Sequence, residues 1–436
     1  MFHYPQEPIN LRTALGEPDI GDARQKYMWE ALQGRQNCFL LDGKCDLEEW
    51  RRTANRLTDH NLAGQAKASL SRGLQLSGDA AGAWELVSSL YADLETYDKP
   101  TRGIIYFHVL SFLNRRKSAE QLPQFRRKEE LASHVRRYSL EALKLALELE
   151  NVTFVASTVF YLTKALETVE PASDERSLSS YIAALRFVEH ASPIRALQSI
   201  LSQGSVHRHY AFRSQVSLSW QEAVQHIDEA FRCNRRAFAT AVNSRNTMHQ
   251  LNAASYCGEL CLSSLARASS DEAHHYLRQQ VAETMEMYHY ILAHYQSDDE
   301  VGVDSRHIYW TIRHTWPLIE ILQLFYSEGN SDRSAWQKCG EILGDEFRSR
   351  GSRIRTLQYR DRAKAYSELL KNALKVRSYL AEHEEQLGLF KLFARPAVVS
   401  LSTMAANFVA RDRQGDKNQG IKRLRTHIRT VEEQFK

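Results

Sequence analysis

Residues 271–296 pair carboxylates with imidazoles at a spacing that is used in helical metal sites. Glu-x-x-His occurs twice in this segment, as Glu272 with His275 and as Glu286 with His289. In di-iron helical bundles such pairs point inward from several helices toward one site. Here all four residues belong to one predicted helix, and at about 100° per residue they fall opposite its apolar side. The sequence therefore predicts no metal site in this segment and no cofactor.

The cysteines show no pattern of a disulfide framework or of a metal site. The chain has six cysteines without regular spacing, which favours free thiols in a reducing compartment. Cys257 and Cys261 lie one helical turn apart, but no second cysteine pair or histidine pair completes a tetrahedral set. We expect these two thiols to pack inside a helical core.

Two arginine–histidine pairs resemble the catalytic pair of all-helical ribonucleases of the HEPN type. The pairs are Arg102 with His108 and Arg127 with His134. The polar residue that usually follows the arginine in that family is glycine in the first pair and lysine in the second. No catalytic residue is assigned on this basis, and a HEPN-like ribonuclease is only a minor alternative.

A predicted helix at 304–327 is apolar on all sides, which is typical of a central, buried helix. Pro317 should kink it, because proline removes one backbone hydrogen bond. Four side chains on this helix form a candidate polar pocket, which would suit a ligand-binding protein: His307, Trp310, Arg313 and His314. The alternative is that the two histidines are hydrogen-bonded within the core.

Cations line one side of a predicted helix at 352–387. With two arginines that precede the helix, the candidate anion-binding or nucleic-acid-binding residues are Arg348, Arg350, Arg353, Arg360, Lys364, Lys371 and Lys375. Aligned cations can follow a phosphate backbone, and each phosphate contact adds salt-dependent affinity. Asp361 and Glu368 flank this line, so an ion-paired, solvated helix face is the alternative.

The last segment predicts an amphipathic basic helix with an apolar seam at coiled-coil spacing. The seam is a candidate partner-binding surface and consists of Ile421, Leu424, Ile428, Val431 and Phe435. So short a helix is marginal alone. It must therefore dock on its own chain, on a second copy to give a homo-oligomer, or on a partner. We expect no membrane contact, because a membrane-surface helix favours larger apolar residues.

Nearly every segment of the chain predicts helix, because apolar residues recur at spacings of three and four. Short connections make sequential helices antiparallel neighbours. The sequence predicts an all-α fold of stacked antiparallel helical hairpins, either α-solenoid-like or a multi-bundle array. The predicted regions are an N-terminal helical region at 1–205, a central and C-terminal helical region at 206–410, and a linker with the tail helix at 411–436.

Two segments carry more specific expectations. The glycine-containing stretch 202–205 predicts the first boundary, and the irregular pattern of 207–215 predicts either a short helix or a loop. The apolar stretch 396–410 is shorter than the about 20 residues that cross a bilayer. It predicts a buried helix that begins with Pro396 at its first position.

Charge is unevenly distributed although the net charge is only +4. Residues 348–436 hold 20 Lys+Arg and 9 Asp+Glu, whereas the rest of the chain holds 37 and 44. The N-terminal residues lack a basic and an apolar region of a signal peptide, so we expect a cytoplasmic protein. The sequence favours a non-catalytic scaffold or adaptor that binds a protein partner within a larger complex. A nucleic-acid-binding subunit that uses residues 348–377 is the principal alternative.

Overall fold

A computed structural model describes residues 47–77, 79–114, 119–193, 195–212, 218–265, 270–294, 384–411 and 419–435, with single positions between 319 and 381. All regular elements among these residues are helices. They are α1 (Leu47–Asn55), α2 (His60–Ser77), α3 (Ala80–Ala92), α4 (Lys99–Asn114), α5 (Lys128–Glu148), α6 (Val152–Val169), α7 (Glu175–Ala191), α8 (Ala196–Ala211), α9 (Trp220–Asn243), α10 (Thr247–Leu265), α11 (Asp271–His294), α12 (Glu384–Ala410) and α13 (Gln419–Phe435), with short 3-10 turns at Leu94–Thr96 and Pro123–Phe125. The predicted all-α fold class is confirmed.

Residue contacts divide the chain into two compact units. The first comprises 1–253 with 297–306, and the second comprises 254–296 with 307–436. Residues 202–205, where the sequence predicted a boundary, lie inside α8 within the first unit. Of the linker predicted at 411–420, residues 412–418 lie outside the described residues, and Gln419 and Gly420 belong to α13.

In the first unit, each helix from α1 to α8 packs against the next helix along the chain, and α8 packs against α9. Because the connections are short, these neighbours run antiparallel and form stacked hairpins. The even-numbered helices also approach one another in order: α2 contacts α4, α4 contacts α6, and α6 contacts α8. The even-numbered helices thus form one layer of a two-layer array, which is consistent with the predicted stack of helical hairpins.

This layering explains which helices are buried. Every residue of α4 from Gly103 to Leu113 is buried, because α4 has helices α2, α3, α5 and α6 around it. Helix α7 belongs to the other layer and buries only one side, with Leu178, Ile182 and Leu185 inward. The sequence of α4 is therefore apolar on nearly all sides, whereas that of α7 is amphipathic.

Helix α8 extends beyond the helix end that the sequence predicted at residue 203. Residues 207–211, predicted as a short helix or a loop, are helical and continue α8, and Gly204 lies inside it. A Cβ atom at Gly204 would lie 2.9 Å from Oδ1 of Asn234 and 3.2 Å from the backbone oxygen of Ala230, both on α9. This glycine therefore permits close packing of α8 on α9, although glycine is typical of a break in a helix.

The second unit contains a second correction. Pro396 lies inside α12, which begins at Glu384, and does not start the helix as predicted. Proline at this position cannot donate to the carbonyl of Leu392, one turn earlier. Leu392 is 55% exposed and Pro396 is exposed as well, so the lost hydrogen bond lies on the outer side of α12, where its loss costs less than in a core. The helix therefore continues through the proline.

Candidate functional site and interaction surfaces

The Glu-x-x-His residues of α11 lie on its exposed side. Glu272, His275, Glu286 and His289 are all exposed, whereas Leu277, Val281 and Tyr288 of the same helix are buried. Among the residues that the structure describes, no group of three or more histidine, cysteine or acidic side chains could hold a metal ion. The helix thus presents these imidazoles and carboxylates to solvent rather than to a common centre.

The cysteine pair of α10 is fully buried, with Cys257 and Cys261 both at 0% exposure. The Cys261 Sγ lies 3.6 Å from Oγ1 of Thr284 on α11. Burial raises the pKa of Cys261 to about 12, which keeps the thiol protonated at neutral pH. Its surroundings are those of a packing residue.

The two pairs that resemble a ribonuclease motif differ in their surroundings. Arg102 donates from Nε to the Tyr97 carbonyl at 2.8 Å and pairs with Glu95 at 2.5 Å. His108 is only 2% exposed. In the second pair, Arg127 is an exposed residue that precedes α5, and burial lowers the pKa of His134. The His134 ring packs edge-on against Phe125.

Most residues of the predicted cation line lie outside the described residues. They are Arg348, Arg350, Arg353, Arg360, Lys364 and Lys375. Lys371 is described and its side chain is exposed on a helical segment. The predicted pocket also lies outside the described residues, with His307, Trp310, Arg313 and His314. A nucleic-acid interface and a polar pocket at these positions stay predictions.

The apolar seam of the tail helix is covered within the chain. Ile421, Leu424, Ile428, Val431 and Phe435 are all buried, and α13 packs against α12. The Phe435 ring lies 6.1 Å from that of Phe390 on α12. Because α13 follows α12 after a short connection, the two form an antiparallel hairpin. A partner-binding role for the seam stays a prediction and would require α13 to leave this position.

Polar contacts also attach the tail helix to helical residues that precede α12. His427 Nδ1 lies 2.9 Å from the Ser367 hydroxyl. The Arg377 guanidinium donates to the backbone and side-chain oxygens of Gln434, each at 3.1 Å. These contacts fix the rotation of α13, so that its cations Lys422, Arg423 and Arg429 face outward.

The opposite side of α12 carries a second line of apolar residues, which sequence reasoning missed. These residues, here called the α12 stripe, are Leu389, Leu392, Phe393, Pro396 and Val399. Leu392, Pro396 and Val399 are exposed and the other two are half-buried. At 100° per residue the stripe spans about 120° of the helix, opposite the buried line from Phe390 to Leu401. Sequence periodicity alone does not show which of two apolar sides another element covers.

Helix α12 from Leu387 to Ala410 is, among the described helices, the one that is long and apolar enough to cross a membrane by length and composition. The core helix of a water-soluble domain can pass this test as well, but such a helix is mostly buried. Only 28% of the most apolar part of α12 is buried within the structure.

A smaller apolar surface lies on α5 and at the start of α6 in the first unit. Leu140 and Leu147 are on the outward side of α5, separated by two helical turns or about 10.5 Å, and Val152 begins α6. Their exposures are 55%, 61% and 58%. Lys144 is exposed on the same side of α5, between the two leucines. We call these four residues the α5 patch.

Buried charges connect the helices of the even layer. The Glu167 carboxylate on α6 pairs with Lys164 at 2.6 Å and with His209 of α8 at 2.8 Å. Burial alone would raise the pKa of Glu167, but Lys164 and His209 outweigh it, so this pKa is lowered. The Arg195 guanidinium is buried as well and donates to the Tyr161 hydroxyl at 2.8 Å. These groups hold α6 against the N-terminal and C-terminal parts of α8.

A histidine pair joins α8 and α9. The His207 and His226 rings stack with centroids 5.7 Å apart, and His226 Nε2 lies 3.2 Å from the Glu175 carboxylate of α7. Burial, and then the neighbouring His226, lower the pKa of His207 to about 4. His207 is therefore neutral at neutral pH and acts as a packing residue.

The comparisons with known proteins give no family. No family model matches the chain, and no curated protein matches it. A solved structure described as a circular tandem repeat protein with novel repeat topology and enhanced subunit contact surfaces aligns with 98% of this chain and 97% of its own. The identity is 12% and the TM-score is 0.31, which is too low to support an argument about fold or function. The fold class therefore stands on the helices themselves.

Proposed function

We propose that this chain is a non-catalytic helical scaffold or adaptor that binds a protein partner through the α5 patch. The observation that carries the proposal is the exposure of Leu140 and Leu147 on one side of α5, each more than half exposed, with exposed Val152 following at the start of α6. Single exposed apolar residues are ordinary, but a group of them on a water-soluble domain often marks a contact site.

The chemistry of the patch specifies the partner. Lys144 lies between Leu140 and Leu147, so the occupant needs apolar side chains around a carboxylate. An ion pair at the end of α5 joins Lys99 to Glu148 at 3.1 Å. An amphipathic helix of a partner protein, with one acidic residue in its apolar face, meets these requirements.

The buried groups support a structural rather than a catalytic role for the first unit. The charged side chains of Glu167 and Arg195 are each held by neighbouring helices at hydrogen-bond distance. The thiol of Cys233 has a pKa raised to about 11 by burial and is a poor nucleophile at neutral pH.

The test compares two variants in a partner search. Proteins that copurify with the chain are compared between the natural protein and Leu140→Ser with Leu147→Ser, and each candidate is then purified and titrated. Loss of two central apolar contacts should weaken binding by about tenfold or more. Leu392→Ser with Val399→Ser in α12 is the matched control and should bind the partner unchanged.

The proposal is wrong if no purified protein distinguishes the patch variant from the natural chain. It is also wrong if the variant changes only the self-association of this chain, which sedimentation of the purified protein reports.

A further inference from the structure

The end of α8 and the start of α9 pack together through two histidines. The His207 ring of α8 and the His226 ring of α9 stack with centroids 5.7 Å apart, and the Tyr210 ring packs edge-on against His226 at 4.6 Å. The apolar residues next to these rings along both helices are buried: Val206 and Ala211 on α8, Ala223 and Ile227 on α9. This end of the α8–α9 hairpin is therefore closed by two titratable rings.

The described charges that act on His207 offer a protonated ring no acid. The Nδ1 atom of His207 is buried and has no hydrogen-bond partner among the described residues. The Glu175 carboxylate of α7 lies 3.2 Å from Nε2 of His226, so it serves the other ring. The described charged groups that act on His207 are His226, Arg186 of α7 and Arg232 of α9, and all of them are basic. A proton on His207 therefore adds a cation to a group of like charges.

His209, two residues later on α8, has the opposite surroundings. Its Nδ1 atom lies 2.8 Å from the Glu167 carboxylate of α6, which also pairs with Lys164 at 2.6 Å. A proton on His209 strengthens the contact between α8 and α6, whereas a proton on His207 weakens the contact between α8 and α9. Acid therefore acts on one side of α8.

The middle parts of α7, α8 and α9 are joined by hydrogen bonds without histidine. The Ser199 hydroxyl donates to the Leu185 carbonyl at 2.5 Å. The Glu189 carboxylate of α7 accepts from Gln203 of α8 at 2.7 Å and from Arg236 of α9 at 2.9 Å. These contacts lie one turn or more before His207 on α8, so opening can be confined to the hairpin end.

From this arrangement we infer that the His207–His226 contact is an acid-sensitive switch. When His207 is protonated, the end of α8 and the start of α9 separate, and the rest of the stack stays closed. Separation gives the His207 cation access to water, which a buried cation without a partner requires. It also exposes apolar side chains of both helices, among them Val206 and Ile227, so that this surface is presented only in acid.

The pH range follows from the surroundings of His207. Burial, and then the charges of His226, Arg186 and Arg232, lower its pKa to about 4 in the closed form. In the opened form the ring regains the ordinary pKa of about 6.5. Because the pKa of the closed form is the lower one, the closed form is favoured above pH 6.5 and loses this advantage as the pH falls toward 4. The opening equilibrium constant should therefore rise about twentyfold between pH 7 and pH 5.

Amide hydrogen exchange of the full chain at pH 7 and pH 5, corrected for the intrinsic exchange rates, measures this opening. In the natural chain we expect about twentyfold more opening at pH 5 in the last turn of α8 and the first two turns of α9. The middle parts of these helices should change little. His207→Asn removes the titrating ring and should abolish the pH response. His207→Phe keeps a ring in the contact that cannot gain a proton, so it should give the same result with the packing preserved.

His190→Asn is the matched control, because His190 is an exposed histidine of α7. This variant should respond to pH as the natural chain does. An equal pH response in the natural chain and in both His207 variants would overturn the inference. So would exchange that rises uniformly over α7, α8 and α9, because acid would then loosen the whole stack rather than the hairpin end.

Discussion

Two glycines in helix interiors should respond in opposite directions to the same substitution. Gly204 lies in α8 and Gly388 in α12. Alanine is favoured over glycine in a helix by about 1 kcal/mol, so both positions gain that amount from intrinsic preference. The difference between them comes from what the new methyl group meets.

The structure gives the size of that difference. Nothing lies within 4 Å of a Cβ atom at Gly388, so Gly388→Ala should stabilise its helix by about 1 kcal/mol. At Gly204 the methyl would meet three atoms of α9 at 2.9, 3.2 and 3.3 Å. Overpacking of this kind costs about 1–3 kcal/mol. After the intrinsic gain, Gly204→Ala should therefore be destabilising by about 1 kcal/mol, and the two variants should differ by about 2 kcal/mol.

Because the two glycines lie in different units, amide hydrogen exchange is the appropriate assay, since it reports local opening free energies. We expect faster exchange in α8 and α9 of Gly204→Ala and slower exchange in α12 of Gly388→Ala. Adding Asn234→Ala to Gly204→Ala removes the nearest contact and should restore part of the loss. Slower exchange in α8 and α9 of Gly204→Ala would refute the close packing derived for Gly204.

Three further predictions concern the tail helix and two buried titratable groups. Leu424→Ala should destabilise the docking of α13 by about 2–5 kcal/mol, visible as faster hydrogen exchange in α13, and unchanged exchange would contradict its packing on α12. The pKa of Glu167 is lowered in the folded chain, so its contribution is present above the unfolded pKa of about 4.5 and is lost as pH falls through the folded value. In urea unfolding, Glu167→Gln should therefore lower the free energy of unfolding more at pH 7 than at pH 3. An equal loss at both pH values would contradict a lowered pKa of Glu167. The pKa of His207 is lowered to about 4, so its neutral form stabilises the fold above pH 6.5 and this stability is lost between pH 6.5 and 4. Between pH 6.5 and 4, the free energy of unfolding of the natural chain should fall by up to about 3 kcal/mol more than that of His207→Asn. Parallel plots of unfolding free energy against pH for the two proteins would contradict the lowered pKa of His207.

The sequence predicted the fold class and the angular positions on α11 because these depend on local periodicity. Leu277 and Tyr288 face inward and Glu286 faces solvent, as the spacing of apolar residues indicates. The burial of Leu424 with the rest of the tail seam follows from the same periodicity.

Local periodicity did not predict that the helices continue through Gly204 and Pro396, because this depends on the surroundings of each residue. Gly204 is typical of a helix break until the proximity of α9 explains it. Pro396 is typical of a helix start, but it lies inside α12, on a side of the helix that is exposed. The α12 stripe was missed for a similar reason, since whether an apolar side is covered is a property of the neighbours.

The close contacts of the first unit have a consequence for how the chain acquires its structure. From α1 to α9, the helices that pack closely are one or two positions apart along the chain. Only short loops must close to form such contacts, so little chain entropy is lost before each contact forms. This part of the protein can therefore fold progressively during synthesis, as successive hairpins leave the ribosome, without waiting for the C-terminal residues.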